Sequence, residues 1–168
     1  MANSFPMMKM NIASISLIAI FLSLACSPRR VHLVLDKEQI LSLAQFNKLD
    51  SLFLEHEKKT TNEIVLVTTN DYGKDSNIID FAKNFGNKVG VGKKGKDNGV
   101  VIVYCRLRHE IRMGTGLGTQ RVLTDKIAKK IIDSLMLPEF KNGEIFNGLW
   151  KGSTAIVSFL ERPENKIQ

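Results

Sequence analysis

Apolar residues return along this chain with two different periods, and the switches between them predict its elements. Ile40, Leu43, Phe46, Leu49, Leu52 and Phe53 recur mostly every three or four positions, so one helix face runs to about Lys58. Asp36-Lys37-Glu38-Gln39 ahead of it reads as a variant capping box, with Asp36 accepting from an early helical N–H and Gln39 reaching back. Glu63–Thr69 is short, apolar and β-branched, the signature of a buried strand, and the turn residues of Asn70–Gly73 close it. Ile78, Ala82, Phe85 and Val89 mark a second helix, broken by Gly90 and Gly92. Two more strand-like runs, Val100–Cys105 and Glu110–Met113, flank the polar turn Arg106–His109 and predict a hairpin. A third helix buries Ala128, Ile131, Ile132 and Leu135 and stops at Pro138. From Glu144 a last helix carries Ile145, Leu149, Ile156 and Leu160 on one side, with Gly148 and Gly152 four apart to admit a close neighbour.

The order of these elements sets the topology. A helix links Glu63–Thr69 to Val100–Cys105, so those two strands are expected to be parallel through a crossover. The fold class is therefore α/β: a small mixed β-sheet with α-helices packed on its faces, in one domain over residues 34–161 followed by a polar tail. In this topology two glycine-rich loops meet at one end of the sheet. They bring Asp97, Asn98, Gly99, Gly114, Gly116, Gly118 and Asp125 near one another, with Glu63 at the same end and Asp71 at the other.

The N-terminus has a different character. Ile12–Ala25 is mostly apolar and follows a stretch carrying Lys9. It is too short for a comfortable spanning helix of ~20 residues and matches a signal-peptide core of ~7–15 residues. Leu22-Ser23-Leu24-Ala25-Cys26 resembles a bacterial lipobox, with Ser23 as its one departure. That resemblance implies a signal peptide over residues 1–25, a diacylglycerol on the Cys26 thiol and a tether over residues 26–33. The alternatives are an ordinary cleaved signal with an incidental cysteine, or an uncleaved anchor. Ser27, where an aspartate would argue for inner-membrane retention, points to the outer membrane facing the periplasm. Cys105 then has no partner and is expected to be a buried free thiol.

Composition narrows the function classes. With 43% hydrophobic and 24% charged residues the chain is expected to bury a core. The formal charge of +7 is scattered along helices and loops. No zinc-finger spacing or paired-aromatic motif accompanies it, so nucleic acid is not an expected partner.

The loops carry the candidate chemistry. Gly90–Asp97 nearly matches a phosphate-binding loop, but Asp97 replaces the hydroxyl that would hold magnesium, and the loop runs from helix into strand. Gly114-Thr-Gly116-Leu-Gly118 lacks the dinucleotide-binding spacing. Hard cations prefer carboxylates, amide carbonyls and backbone oxygens in flexible loops. Asp97, Asn98, the 114–118 carbonyls and Asp125 offer that set, with Glu63 added on geometry. The competing reading makes Asp97-Asn98-Gly99 a plain turn and Asp125 a helix-start residue beside Thr124. His32, His56 and His109 fall in the tether, the first helix and the hairpin tip, so no Ser–His–Asp set is visible.

Val91–Val103, Ile111–Gly118, Leu123-Thr-Asp125, Ile131-Ile132 and Leu137–Gly143 together resemble the TPM domain family, over about Val34 to Leu160. The resemblance implies an α/β sandwich on the non-cytoplasmic side of a membrane. It also implies divalent-cation binding, calcium above all, and a part in membrane-protein assembly or maintenance with an envelope protein partner. Phosphatase activity is the enzymatic alternative it raises, and a purely structural or protein-interaction domain is the third. The motif positions that carry over as acidic are Asp97 and Asp125. Many bacterial members carry a C-terminal membrane segment or low-complexity tail; here Cys26 stands in for that anchor. Binding is favoured over catalysis because the acidic set is sparse and a base is missing.

Overall fold

The computed structural model describes residues 32–167. The expected signal peptide, Cys26 and the first part of the expected tether lie outside the described residues. Four strands form one sheet in the order β1 (Val34–Asp36), β2 (Glu63–Thr68), β3 (Gly99–Cys105), β4 (Glu110–Thr115). β1, β2 and β3 are parallel and β4 returns antiparallel to β3, with Glu63 opposite Gly99 and Val100 opposite Thr115. This is the mixed sheet and crossover that the sequence pattern predicts. β2 and β3 are buried on both faces, which is why their sequences read as unbroken apolar runs.

Helices cover both faces. Helix α1 (Leu43–Thr60) and the C-terminal helices enclose the larger core, where Leu49, Phe53, Ile64, Leu66, Ile102, Leu149 and Ile156 are fully buried. Helix α2 (Ile78–Val89) covers the other face, packing around Val67, Ala82, Val101 and Val103. The C-terminal layer comprises α3 (Leu117–Gln120), α4 (Asp125–Ile131), a π-helical turn (Ile132–Met136), α5 (Leu137–Lys141) and α6 (Ile145–Leu160).

Two sequence expectations are corrected, and one strand is added. Helix α1 starts at Leu43, not after Asp36: Ser42 is its N-cap, with Gln45 completing a capping box. Asp36 ends β1 instead, and its carboxylate accepts from Ile40 N, Leu41 N and the Thr68 hydroxyl. Strand β1 itself is too short to show a period. It is pinned by buried Asp50, which accepts from Leu33 N and Val34 N and lies 2.8 Å from His32 Nδ1. The second correction is that the helix does not stop at Pro138. The wider π turn precedes the proline, which sits in the first turn of α5, where its missing N–H breaks no ladder. Gly148 and Gly152 do admit close neighbours. A Cβ on Gly152 would lie 2.5 Å from Met136 Cγ, and one on Gly148 would strike the Phe140 ring.

Candidate functional site

The loop entering β3 is built before any ligand is considered. Helix α2 ends at Gly90 in the left-handed region, and the chain loops back through Lys93–Asp97 to reach Asn98. Asn98 is fully buried. Its Oδ1 accepts from Lys93 N at 2.7 Å, while Nδ2 donates to Thr61 O at 2.9 Å and Asn62 Oδ1 at 3.0 Å. Thr61 is itself the left-handed C-cap of α1, so one amide ties the end of α1 to the start of β3. Both N–H donors of that amide and its carbonyl oxygen are engaged by protein groups.

Glu63 is committed in the same way. It accepts from Gly92 N and from Lys93 Nζ, both at 2.5 Å, and Lys93 Nζ also donates to Glu57 at 2.6 Å. Burial pushes the Glu63 carboxyl up, but the Lys93 and Gly92 hydrogen bonds and the Lys93 charge outweigh it and hold the group below the ordinary carboxylate range. The hydrogen bonds that Lys93 donates to Glu57 and Glu63 in turn raise Lys93, against its partial desolvation.

The two glycine loops meet as expected. Gly116 N donates to Gly99 O at 2.9 Å, and Gly118 N and Thr119 N both donate to Asp97 O, at 3.1 and 3.3 Å. The approach leaves no room for side chains: a Cβ on Gly116 would strike Asp97 O, and one on Gly118 would strike Lys96 O. Asp97 turns the corner at φ +47° with its side chain exposed.

The acidic pair does not share a cavity. Asp97 lines a cleft of about 310 Å³ with Lys96, Arg121 and Lys166. Asp125 lies in the first turn of α4, where Thr124 is the N-cap and accepts from Ile127 N, as the helix-start reading has it. Its side chain is 66% exposed, and its charged neighbour is Arg112, 3.9 Å away. It lines a groove of about 250 Å³ between α2 and β4, together with Lys83, Asn87, Arg112, Thr115 and Gln120. Gly86, Gly99, Gly114 and Gly116 also line this groove. Among the described residues no group of three or more His, Cys, Asp or Glu side chains is placed to hold a metal ion.

A shared ion site therefore loses most of its expected donors. Asn98 and Glu63 are bound within the protein, Asp97 faces another cleft, and Asp125 remains with neutral oxygens on Thr115 and Gln120. Sequence reasoning missed Lys83, Arg112, Asn87 and Gln120. Arg112 had a readable signal, because alternation along β4 sets it on the same side as Gly114.

His56, in helix α1, is fully buried with Thr60 and Glu161 beside it. Burial pushes its imidazole below its ordinary value, and the hydrogen bond to Glu161 only partly offsets this. Cys105 is a buried free thiol.

Comparison with known proteins gives a consistent picture. The family model described as "TPM domain" matches residues 34–159. No curated protein matches the chain. Among solved structures, the N-terminal domain of a protein from P. gingivalis is similar, with TM-score 0.71 and 28% identity over 77% of this chain and 82% of that one. The N-terminal domain of a Corynebacterium glutamicum protein gives TM-score 0.61 at 10% identity, over 80% and 83%. The BA42 protein of Bizionia argentinensis gives 0.60 at 18%, over 79% and 92%. These last two carry the fold alone.

Proposed function

We propose that this chain, which belongs to the TPM domain family, is a non-catalytic binding module anchored at the bacterial cell envelope by lipid on Cys26. In this reading its cation site is weak and centred on Asp125. The observation that carries it is the groove between α2 and β4, where the exposed carboxylate of Asp125 shares the lining with Thr115 and Gln120. Those are hard donors suited to calcium. One carboxylate with a guanidinium 3.9 Å away makes a poor site, so the affinity belongs with the weakest calcium modules, at ~10⁻⁴–10⁻³ M. The four-residue set of Asp97, Asn98, Glu63 and Asp125 does not fit a single ion. The envelope partner and the role in assembly or maintenance of membrane proteins rest on the family resemblance.

A calcium titration followed by amide NMR tests the site. Saturable shifts around Thr115, Gln120 and Asp125, lost in Asp125→Asn and kept in Asp97→Asn and Asn98→Ala, would support it. Arg112→Gln should tighten binding by removing the competing cation. Silence at millimolar calcium, magnesium and manganese would sink the cation reading and leave a structural or protein-interaction domain.

The phosphatase alternative draws on one observation: Lys83 and Arg112 line the same groove and would attract a phosphate ester. Of Lys93, Lys94 and Lys96, the loop lysines that a phosphatase reading expects to attract the substrate, Lys93 is held by Glu57 and Glu63. Against catalysis, Asp125 is the one carboxylate among the groove's lining residues, leaving no second group to act as base. Turnover of a phosphate ester that Asp125→Asn abolishes would establish the alternative.

A further inference from the structure

A second cavity lies away from both glycine loops, at the carboxyl end of β3. Its volume is about 570 Å³, within the usual range for small-molecule sites of roughly 300–1,000 Å³. The floor is aromatic: Tyr104, 2% exposed, and Phe140, whose ring centroid is 4.9 Å from that of Tyr104. Leu137 and Ile145 extend the apolar wall. Phe140 is held in place from behind by Gly148, where any side chain would strike its ring. Gly143 also lines the cavity, and nothing lies within 4 Å of where a Cβ there would sit.

The polar lining is of one sign. Arg106, His109 and Lys141 stand at the rim, all exposed, and no carboxylate lines the cavity. Arg106 is paired with Glu38, whose side chain is 2% exposed. Its Oε1 accepts from Arg106 N at 3.1 Å, and its Oε2 lies 3.9 Å from Arg106 Nε without a hydrogen bond of its own. Glu38 thus holds Arg106 at the rim while taking part of its charge. Lys141 has no carboxylate within 4.0 Å among the described residues, which leaves it the strongest free cation at the mouth.

We propose that this cleft binds an amphiphile with an aliphatic body and an anionic head, of the class of a monomeric medium-chain carboxylate. The chain lies over Leu137, Phe140 and Ile145, burying apolar surface that these half-buried side chains leave open, with Tyr104 beneath them. The head meets Lys141 first and Arg106 second. An aliphatic cation has the same body but the wrong sign for this rim, so the head decides between ligands.

Dodecanoate, kept below its aggregation threshold, is the probe, and dodecyltrimethylammonium and acetate are the controls. Binding is read by calorimetry and by amide NMR on the full-length protein. Saturable dodecanoate binding with shifts at Tyr104, Arg106, Phe140 and Ile145 is the expected result. Dodecyltrimethylammonium should bind at least roughly tenfold more weakly, and Lys141→Glu should weaken dodecanoate by a similar factor with unchanged melting, because Lys141 is exposed and surface substitutions away from structural contacts change stability little. Ile145→Phe, which narrows the cleft, gives a second route; Lys141→Glu lies on the surface and keeps the test valid if that variant misfolds. Equal affinity for both head groups would overturn the proposal. So would shifts clustered elsewhere, or a response to anionic phosphatidylglycerol vesicles with none to the monomer.

Discussion

Asn98→Asp separates a structural amide from a metal ligand. In the native protein Nδ2 donates to Thr61 O and Asn62 Oδ1, and Oδ1 accepts from Lys93 N. The substitution keeps the acceptor and turns the donor into a second oxygen facing two oxygens. Two hydrogen bonds are lost, and each stranded buried acceptor costs ~1–3 kcal/mol. Thr61 is exposed, so water relieves part of that, whereas Asn62 is 2% exposed and gets little relief. The expected loss is about 3 kcal/mol, before any cost of burying the new charge. For a domain of this size that lowers the melting temperature by roughly 10 °C. Urea unfolding followed by circular dichroism, with and without millimolar calcium, measures it. If Asn98 were instead a calcium ligand, an added carboxylate would bind the ion more tightly and stabilise the fold by mass action. A variant as stable as the wild type, or one that calcium stabilises more than the wild type, refutes the structural account. A deficit that calcium leaves unchanged, and that shrinks in acid as a protonated carboxyl regains a donor, supports it.

Other substitutions test the neighbouring contacts. Lys93→Met should cost about 1 kcal/mol at neutral pH, a figure kept low because Lys93 is nearly half exposed. It should also move the acid limb of stability upward. Glu63 is depressed in the folded state, so its contribution is present above its unfolded value of 4.5 and is lost as pH falls through the folded one. His56 is also depressed, by burial, so its contribution holds above 6.5 and declines below it. A pH series of unfolding free energies should therefore flatten just below that value in His56→Leu. Gly116→Ala should cost about 2–3 kcal/mol by overpacking, because the new methyl meets the Asp97 carbonyl and the backbone must shift. Gly152→Ala should cost less, since flexible Met136 gives way and helix preference returns ~1 kcal/mol. Cys26→Ser should shift the protein from the membrane to the soluble fraction and abolish labelling with palmitate.

How much the sequence reveals depends on whether a signal is local. β2 and β3 are legible because strands buried on both faces are apolar throughout, and α2 because Asn77 and Gly90 bracket a clean helical period. The meeting of the glycine loops is legible too, since crossover topology fixes which strand ends coincide. Strand β1 and the start of α1 are not. Asp36 has the local grammar of a helix cap, but it is drawn to Thr68, 32 residues away, and Ser42 caps in its place. The partners of the candidate site's polar groups are hidden for a similar reason. Sequence spacing brings Asn98 and Glu63 to the right end of the sheet, but it cannot reveal that Thr61, Asn62, Gly92 and Lys93 have already claimed their polar atoms. Arg112 and Lys83 enter the groove from elements that carry no motif.

The two ends of the sheet therefore differ in what they leave for a ligand. At the amino ends of β2 and β3, amides and carboxylates are spent on holding loops, and Asp125 is left facing Lys83 and Arg112. At the carboxyl end of β3, Tyr104 and Arg106 open onto an apolar cleft, at the end of a parallel sheet where α/β folds commonly take ligands. The β3–β4 hairpin reaches both places, but β3 is fully buried and has no slack to carry a shift. Binding at one end should therefore leave the other unaffected: saturating calcium should change dodecanoate affinity by less than about twofold. Linkage makes this reciprocal, so calcium affinity measured with dodecanoate present must agree. A larger mutual effect would mean that the hairpin has two arrangements, and that the two sites act as one device.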